Sequence, residues 1–242
     1  MYNDFGTAQD GSGFVFDMSQ ICLEGSDYYM SKVLFTSDLH FGHENILRLD
    51  NRPFATIEEM DAELIRRWNA KVCKGDLVYV LGDMIWKSKN DDALRIIQSL
   101  NGQIILIRGN HDRFLSNSQA KNALAAVKDY DEINVALEDG SMRRCVLSHY
   151  FIPMYNGHRY QGIHLHGHSH FSDEADYEID LAEQLGVMGV HNEIYNVGCM
   201  YWNYEPVTLD EIIRHGRTIR PNYGSKCEEG EVNDNNKIFA SH

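Results

Sequence analysis

The sequence predicts an α/β domain in which helices pack against a sheet, on three grounds. From Val33 to about Glu138 short apolar runs alternate with amphipathic stretches, as in successive strand–helix units. Two Thr-x-x-Glu boxes, at Thr56 and Thr208, mark helix starts, because the threonine and glutamate side chains satisfy each other's free amides. Clusters of Asp, Asn, His and Gly stand just past the apolar runs, where an α/β sheet has its ligand-binding crevice.

The first predicted strand is Val33-Leu34-Phe35. The helix begun at Thr56 follows, with Ile57, Met60, Leu64 and Trp68 at helical spacing as one buried stripe. Leu77 to Leu81 is the second strand, and Asp92 to Leu100 the second helix, closed by Asn101-Gly102. Ile104 to Ile107 is the third strand. A third helix is expected from about Ser116 to Val127, then a strand at Ile133 to Leu137. Glu138-Asp139-Gly140 is a hairpin signal, after which short strands are expected at Arg144–Leu147, Gly162–His166 and Ile194–Val197. The last helix starts at Thr208 and should end at Gly216. Without repeats or a Pro/Ser-rich linker, one domain over residues 30–220 is the economical reading. Residues 1–29, with five acidic residues and no Lys or Arg, read as an accessory segment, and 221–242 as a polar tail.

Lys and Arg total 22 against 36 Asp and Glu in the 242 residues, a net charge of −14 that repels phosphate backbones and disfavours a nucleic-acid polymer as partner. No apolar run approaches the roughly 18–20 residues of a bilayer span, and the first residues lack the pattern of a secretory signal, so a cytoplasmic protein without membrane contact is expected. Its five cysteines form no C-x-x-C pair and are read as reduced. The oligomeric state stays open.

Five segments carry chemistry: Asp38 and His40, Asp83 after Gly82, Gly109-Asn110-His111-Asp112, His149 after Ser148, and Gly167-His168-Ser169-His170. Each follows its own predicted strand, so the topology gathers them at one edge. Oxygen and imidazole donors without thiolate suit Mn²⁺, Fe²⁺ or Zn²⁺ rather than a structural cysteine-type zinc site. Seven donors exceed one ordinary centre, whereas two ions about 3.5–4 Å apart, sharing a carboxylate, serve phosphatases and nucleases. Phosphate-ester hydrolysis is the expected reaction. His164, His166, His168 and His170 share a two-residue period, and spacing alone does not choose among them.

These blocks together resemble the signature of the calcineurin-like metallophosphoesterases, from about Val33 to Glu211. The resemblance implies a four-layer α/β/β/α sandwich of two mixed sheets flanked by helices. It places Asp38, His40 and His170 on one divalent ion and Asn110, His149 and His168 on another, with Asp83 bridging. Mn²⁺ is the expected metal, with iron or Zn²⁺ as alternatives. A metal-bound hydroxide would attack phosphorus in line, His111 would assist the leaving group, and Asp112 would orient its ring. Asp38-Leu-His-Phe-Gly-His43-Glu-Asn45, Asn51-Arg52-Pro53-Phe54 and Asn196-Val-Gly198 further resemble a branch of small stand-alone bacterial and phage phosphoesterases. His43, Asn45 and Arg52 are its candidate phosphate contacts, with helix capping, loop support or simple exposure as the competing readings. The expected substrate is a small phosphomonoester or phosphodiester. A nuclease and a non-catalytic phosphate-binding scaffold are the alternatives.

Overall fold

The computed structural model describes residues 31–86 and 92–215, so the accessory segment 1–29, the tail 221–242 and the helix end at Gly216 lie outside the described residues. The chain runs through strand β1 (Val33–Thr36), a short helix α1 (Ile46–Leu49), α2 (Ile57–Lys71), β2 (Leu77–Val80), α3 (Asp92–Ser99) and β3 (Gln103–Ile107). It continues through α4 (Ser118–Asn122), β4 (Ala126–Lys128), β5 (Asp131–Ala136), β6 (Met142–Leu147), β7 (Ile163–His166), α5 (Asp173–Val187), β8 (Glu193–Asn196), β9 (Val207–Thr208) and α6 (Leu209–His215).

The strands form two mixed sheets, ordered β4-β3-β2-β1-β9 and β5-β6-β7-β8. In the first, only β9 is antiparallel to its neighbour; in the second, β5 is antiparallel to β6 while β6, β7 and β8 run parallel. The period of two along each strand sorts the core into layers. Leu34, Val78, Val80, Ile104 and Leu106 face Met60, Leu64 and Trp68 of α2, Ala93 and Ile97 of α3, and Ala120 of α4. Their neighbours Phe35, Tyr79, Leu81 and Ile107 face the second sheet, where Cys145, Leu147, Ile163 and Leu165 meet them. On the far side of the second sheet α5 covers His166, Ile194 and Asn196 with Ala175, Ile179 and Ala182. The layering is therefore helices, sheet, sheet, helix.

The predicted caps form. Thr56 Oγ1 accepts from Glu59 N, and Glu59 reaches one residue beyond the threonine, to Ala55 N. Thr208 and Glu211 close their box reciprocally, with Glu211 accepting from Thr208 N at 2.7 Å. Two expectations fail. The helix foreseen over Ser116–Val127 is only α4, capped by Asn117, because Ala126-Val127-Lys128 pairs with the open edge of β3; strand pairing there overrides the helix preference of the alanines. The 15-residue α5 was not foreseen among the short strands after Gly140, although Ser172, the acidic first turn and the stripe Ala175, Ala182, Leu185 announce it. No helix among the described residues is long and apolar enough to cross a membrane.

Candidate metal centre

Past β1 and β2 the two chains stay zipped in parallel, with Asp38 N donating to Gly82 O, His40 N to Asp83 O and Phe41 N to Met84 O, all within 2.9–3.0 Å. This ladder fixes Asp38, His40 and Asp83 side by side. The second sheet adds its own strand ends: Gly167 N donates to His149 O, and His168 N donates to Asp38 Oδ2 at 3.0 Å, joining the sheets across the centre. Close approach demands glycine at several points, Gly109 and Gly167 among them. A Cβ on Gly109 would overlap the Asp83 carboxylate, and one on Gly167 would overlap Ser37 and Asp38.

Two groups result, Asp38–His40–His170 and Asp83–His149–His168, each with ligand atoms within 4.8 Å of one another. His40 Nε2 and His170 Nε2 face each other at 3.1 Å, and His170 Nε2 lies 3.6 Å from Asp38 Oδ1. Asp83 stands between the groups, with Oδ2 3.7 Å from His40 Nε2 and Oδ1 3.7 Å from His149 Nε2. Asn110 Oδ1 is 2.9 Å from His149 Nε2. All seven sequence-predicted ligands thus meet.

The donors fit divalent cations. Asp38 Oδ1 is buried with no hydrogen-bond partner among the described residues, a costly state for a carboxylate oxygen unless a cation completes it. Burial, with the Asp38 charge adding to it against the opposing pull of His149, pushes the Asp83 carboxyl up, and a cation between the groups relieves that repulsion. His40 is held well below the usual histidine range by burial and then by His170, which favours the neutral, metal-binding imidazole. His149 keeps its Nδ1 on Leu81 O at 2.8 Å, leaving Nε2 for the centre.

The remaining candidates divide. His111 lies beside the centre, its amide on Asp83 Oδ1 at 2.9 Å and its ring 5.9 Å from that of His40. Asp112 does not serve as its orienting partner. Its carboxylate accepts from the backbone amides of Asp83, Met84 and Gly109, so it shapes the Gly82–Asp83 turn instead. His43 packs beside His40 and stacks on Trp86 at 3.7 Å. Asn45 is exposed at the head of α1 without a side-chain capping bond. Arg52, read as a candidate phosphate contact or as simply exposed, is neither: its fully buried side chain points inward, bonded to Asp50, Leu39 O and Asp38 O. The four-histidine ambiguity resolves through Gly167: His164 and His166 stay on the outer face of β7, His164 bonded to Val146 O and Ile152 N and His166 lying under α5, while the left-handed turns at His168 and His170 swing these two to the centre.

Trp86 and Asp50 escaped the sequence reading. Trp86 lies only three residues beyond Asp83 and is wedged between His43 and His111, 4.5 Å from the latter. Asp50 adjoins the quoted Asn51-Arg52 motif, but only the fold carries it to His170.

The fold and site define a metal-binding α/β phosphoesterase. A family model of calcineurin-like phosphoesterases matches residues 31–221, and the chain belongs to that family, whose members typically bind divalent metals. It is 32% identical over 195 residues to the uncharacterized protein MJ1445 of Methanocaldococcus jannaschii, covering 79% of this chain and 96% of that protein. The gene 66 protein of Mycobacterium phage D29 is 32% identical over 163 residues (58% of this chain, 79% of that protein), and that of phage L5 is 41% identical over 85 (34% and 41%). These relatives fit a small stand-alone branch of the family. The crystal structure of AQ665, a protein of unknown function from Aquifex aeolicus, superposes with a TM-score of 0.56 at 24% identity, covering 77% of this chain and all of that one, and attests the fold.

Proposed function

We propose that the protein is a cytoplasmic hydrolase of small phosphate esters working with two divalent ions, Mn²⁺ foremost, and that Asp83 is their shared ligand. The observation that carries this is the position of Asp83, with one carboxylate oxygen 3.7 Å from His40 of one group and the other 3.7 Å from His149 of the second. Asp38, His40 and His170 would hold one ion and His149, His168 and Asn110 the other. When bound, such ions supply Lewis acidity at the phosphoryl oxygens and activation of a water molecule.

This chain's own residues supply the rest. His111, anchored through its amide to Asp83 beside the centre, would donate a proton to the departing oxygen. Trp86, stacked on His43 and beside His111, lines that side of the centre. The net −14 supports a small phosphoester over a polyanion, whose backbone meets repulsion beyond the reach of the ions. Reduced cysteines suit the cytoplasm, and Cys73, Cys145 and Cys199 are free.

The test is reconstitution of metal-free protein with Mn²⁺ and a screen of phosphomonoesters, cyclic nucleotides and dinucleotides, run beside Asp83→Asn. Turnover should appear at two ions per chain, and Asp83→Asn should lose metal and rate together. Near-normal stoichiometry and rate in Asp83→Asn would refute the shared-ligand reading.

A further inference from the structure

The two metal groups are supported differently. His149 is oriented by a neutral backbone carbonyl, Leu81 O, at 2.8 Å. His170 is oriented by a carboxylate: Asp50 Oδ2 stands 3.0 Å from its Nδ1. The same oxygen accepts from Arg52 Nε at 3.0 Å, and both side chains are almost wholly buried, at 3% and 0% exposure. The other arm of Arg52 reaches the ligand loop, where Nη2 donates to Asp38 O at 2.7 Å and Nη1 to Leu39 O at 2.9 Å. One buried ion pair thus touches two ligand residues of one group, His170 by its side chain and Asp38 by its backbone.

From this geometry we infer that Asp50 and Arg52 are positioning residues dedicated to the Asp38–His40–His170 group, making it the tighter of two unequal metal sites. The inference rests on the two-ion reading and deepens it. A carboxylate on Nδ1 fixes the proton there, turns the Nε2 lone pair toward the ion and raises its basicity more than a neutral carbonyl can. Arg52 holds Asp38 at the left-handed φ of 56° its side chain needs to enter the centre, and a buried guanidinium stays there only while Asp50 balances its charge. The arrangement also accounts for the separation of Asp50 from His170 by 120 residues: α1 ends at Asp50, and Asn51, at φ 48°, turns the chain so that Arg52 comes back under the ligand loop.

The experiment titrates the metal-free full chain with Mn²⁺, by calorimetry and by the paramagnetic resonance spectrum, which distinguishes lone from paired ions. The wild type should take up two ions with unequal affinity. Asp50→Asn, which keeps an acceptor oxygen but not the charge, should weaken the tighter site about 10-fold, and Asp50→Ala by up to about 100-fold. The other site should change less than about threefold, so lone-ion spectra persist to higher Mn²⁺. In a His170→Ala background, Asp50→Ala should cost less than in the wild type, only the route through Arg52 to Asp38 being left. Should Asp50→Ala not fold, the paired Asp50→Leu/Arg52→Met replacement, which buries no lone charge, gives the same readout. Uptake of only one ion by the wild type would overturn the two-ion reading and this inference with it. Two ions in the wild type with both sites unchanged in Asp50→Asn and the paired replacement, or both weakened equally, would overturn this inference alone.

Discussion

Gly167→Ala is the sharpest mechanical test of the centre, since it adds one methyl group without replacing a candidate ligand. The added methyl carbon would overlap Ser37 Oγ and Asp38 Oδ2 and stand 2.7 Å from Ser37 Cβ. Carbon atoms pack at about 3.5–4.0 Å, so the Ser37–Asp38 backbone or the Gly167–His168 turn must retreat by roughly 1 Å. Ser37 cannot simply rotate away, because its hydroxyl donates to Leu81 O at 2.7 Å and its Cβ is itself in the way. Metal–ligand distances tolerate only about 0.2 Å, and a misplacement near 1 Å can cost about 10²-fold in rate. Overpacking adds about 1–3 kcal/mol of destabilisation. Gly186→Ala in α5 is the matched control: nothing lies within 4 Å of its added Cβ, and alanine there should be neutral or stabilising by about 0.5–1 kcal/mol. Metal content, turnover of a nitrophenyl phosphate and thermal unfolding of the metal-free protein are measured on both variants. Full metal content and a rate within twofold of wild type in Gly167→Ala would refute the close-approach geometry.

Two further outcomes are expected. His111→Ala should slow alkyl phosphates by about 10²–10⁴-fold and nitrophenyl phosphates far less, since a proton donor matters only to a basic leaving group; equal losses on both would assign His111 to positioning or electrostatics. Burial pushes the Glu178 carboxyl, carried by α5, up to about 7, with Glu174 and Asp38 adding and the Ser169 hydroxyl opposing. The folded state therefore holds its proton more tightly than the unfolded chain, and stability falls as pH rises from about 4.5 to about 7. At roughly 1.4 kcal/mol per pH unit the cost above that window is at most about 3 kcal/mol. Glu178→Gln should raise the melting temperature of metal-free protein by several degrees at pH 8 and hardly at pH 5, and an equal shift at both would contradict the sign.

Much of this was legible in the sequence because the signals are local. The period of two in Leu34-Phe35 and Val78-Tyr79-Val80-Leu81 follows from strand geometry alone, and the Thr56 and Thr208 caps need only three neighbouring residues. The candidate ligands were legible because each stands at a strand end, and the order of the strands brings the ends together. What stayed hidden depends on contacts made after folding. Ala126-Val127-Lys128 is a strand only because β3 offers an edge. Arg52 looked available to phosphate because nothing nearby in sequence shows that Asp38 O and Leu39 O will face it. Asp112 beside His111 suggested a carboxylate–imidazole pair, yet the turn directs its oxygens to three amides.

The most specific mark of the site is one a sequence could not display. Asp38, His40, Asp83, His168 and His170 all sit at positive φ, from 47° to 72°. A side chain in that region costs about 1–2 kcal/mol, and glycine is the residue expected there. Glycine is present next door, at Gly82 and Gly167, but at these five positions it would remove the carboxylate or imidazole that converges on the centre. The strain persists only where the surroundings over-determine the backbone, and here they do so by particular bonds: the ladder from Asp38, His40 and Phe41 to Gly82, Asp83 and Met84, the Asp112 carboxylate on the Asp83 amide, and Arg52 on Asp38 O. These bonds are all made between residues of the chain itself. The rest of the fold therefore offsets the strain beforehand, and an ion entering the centre meets ligands that have little conformational freedom left to lose.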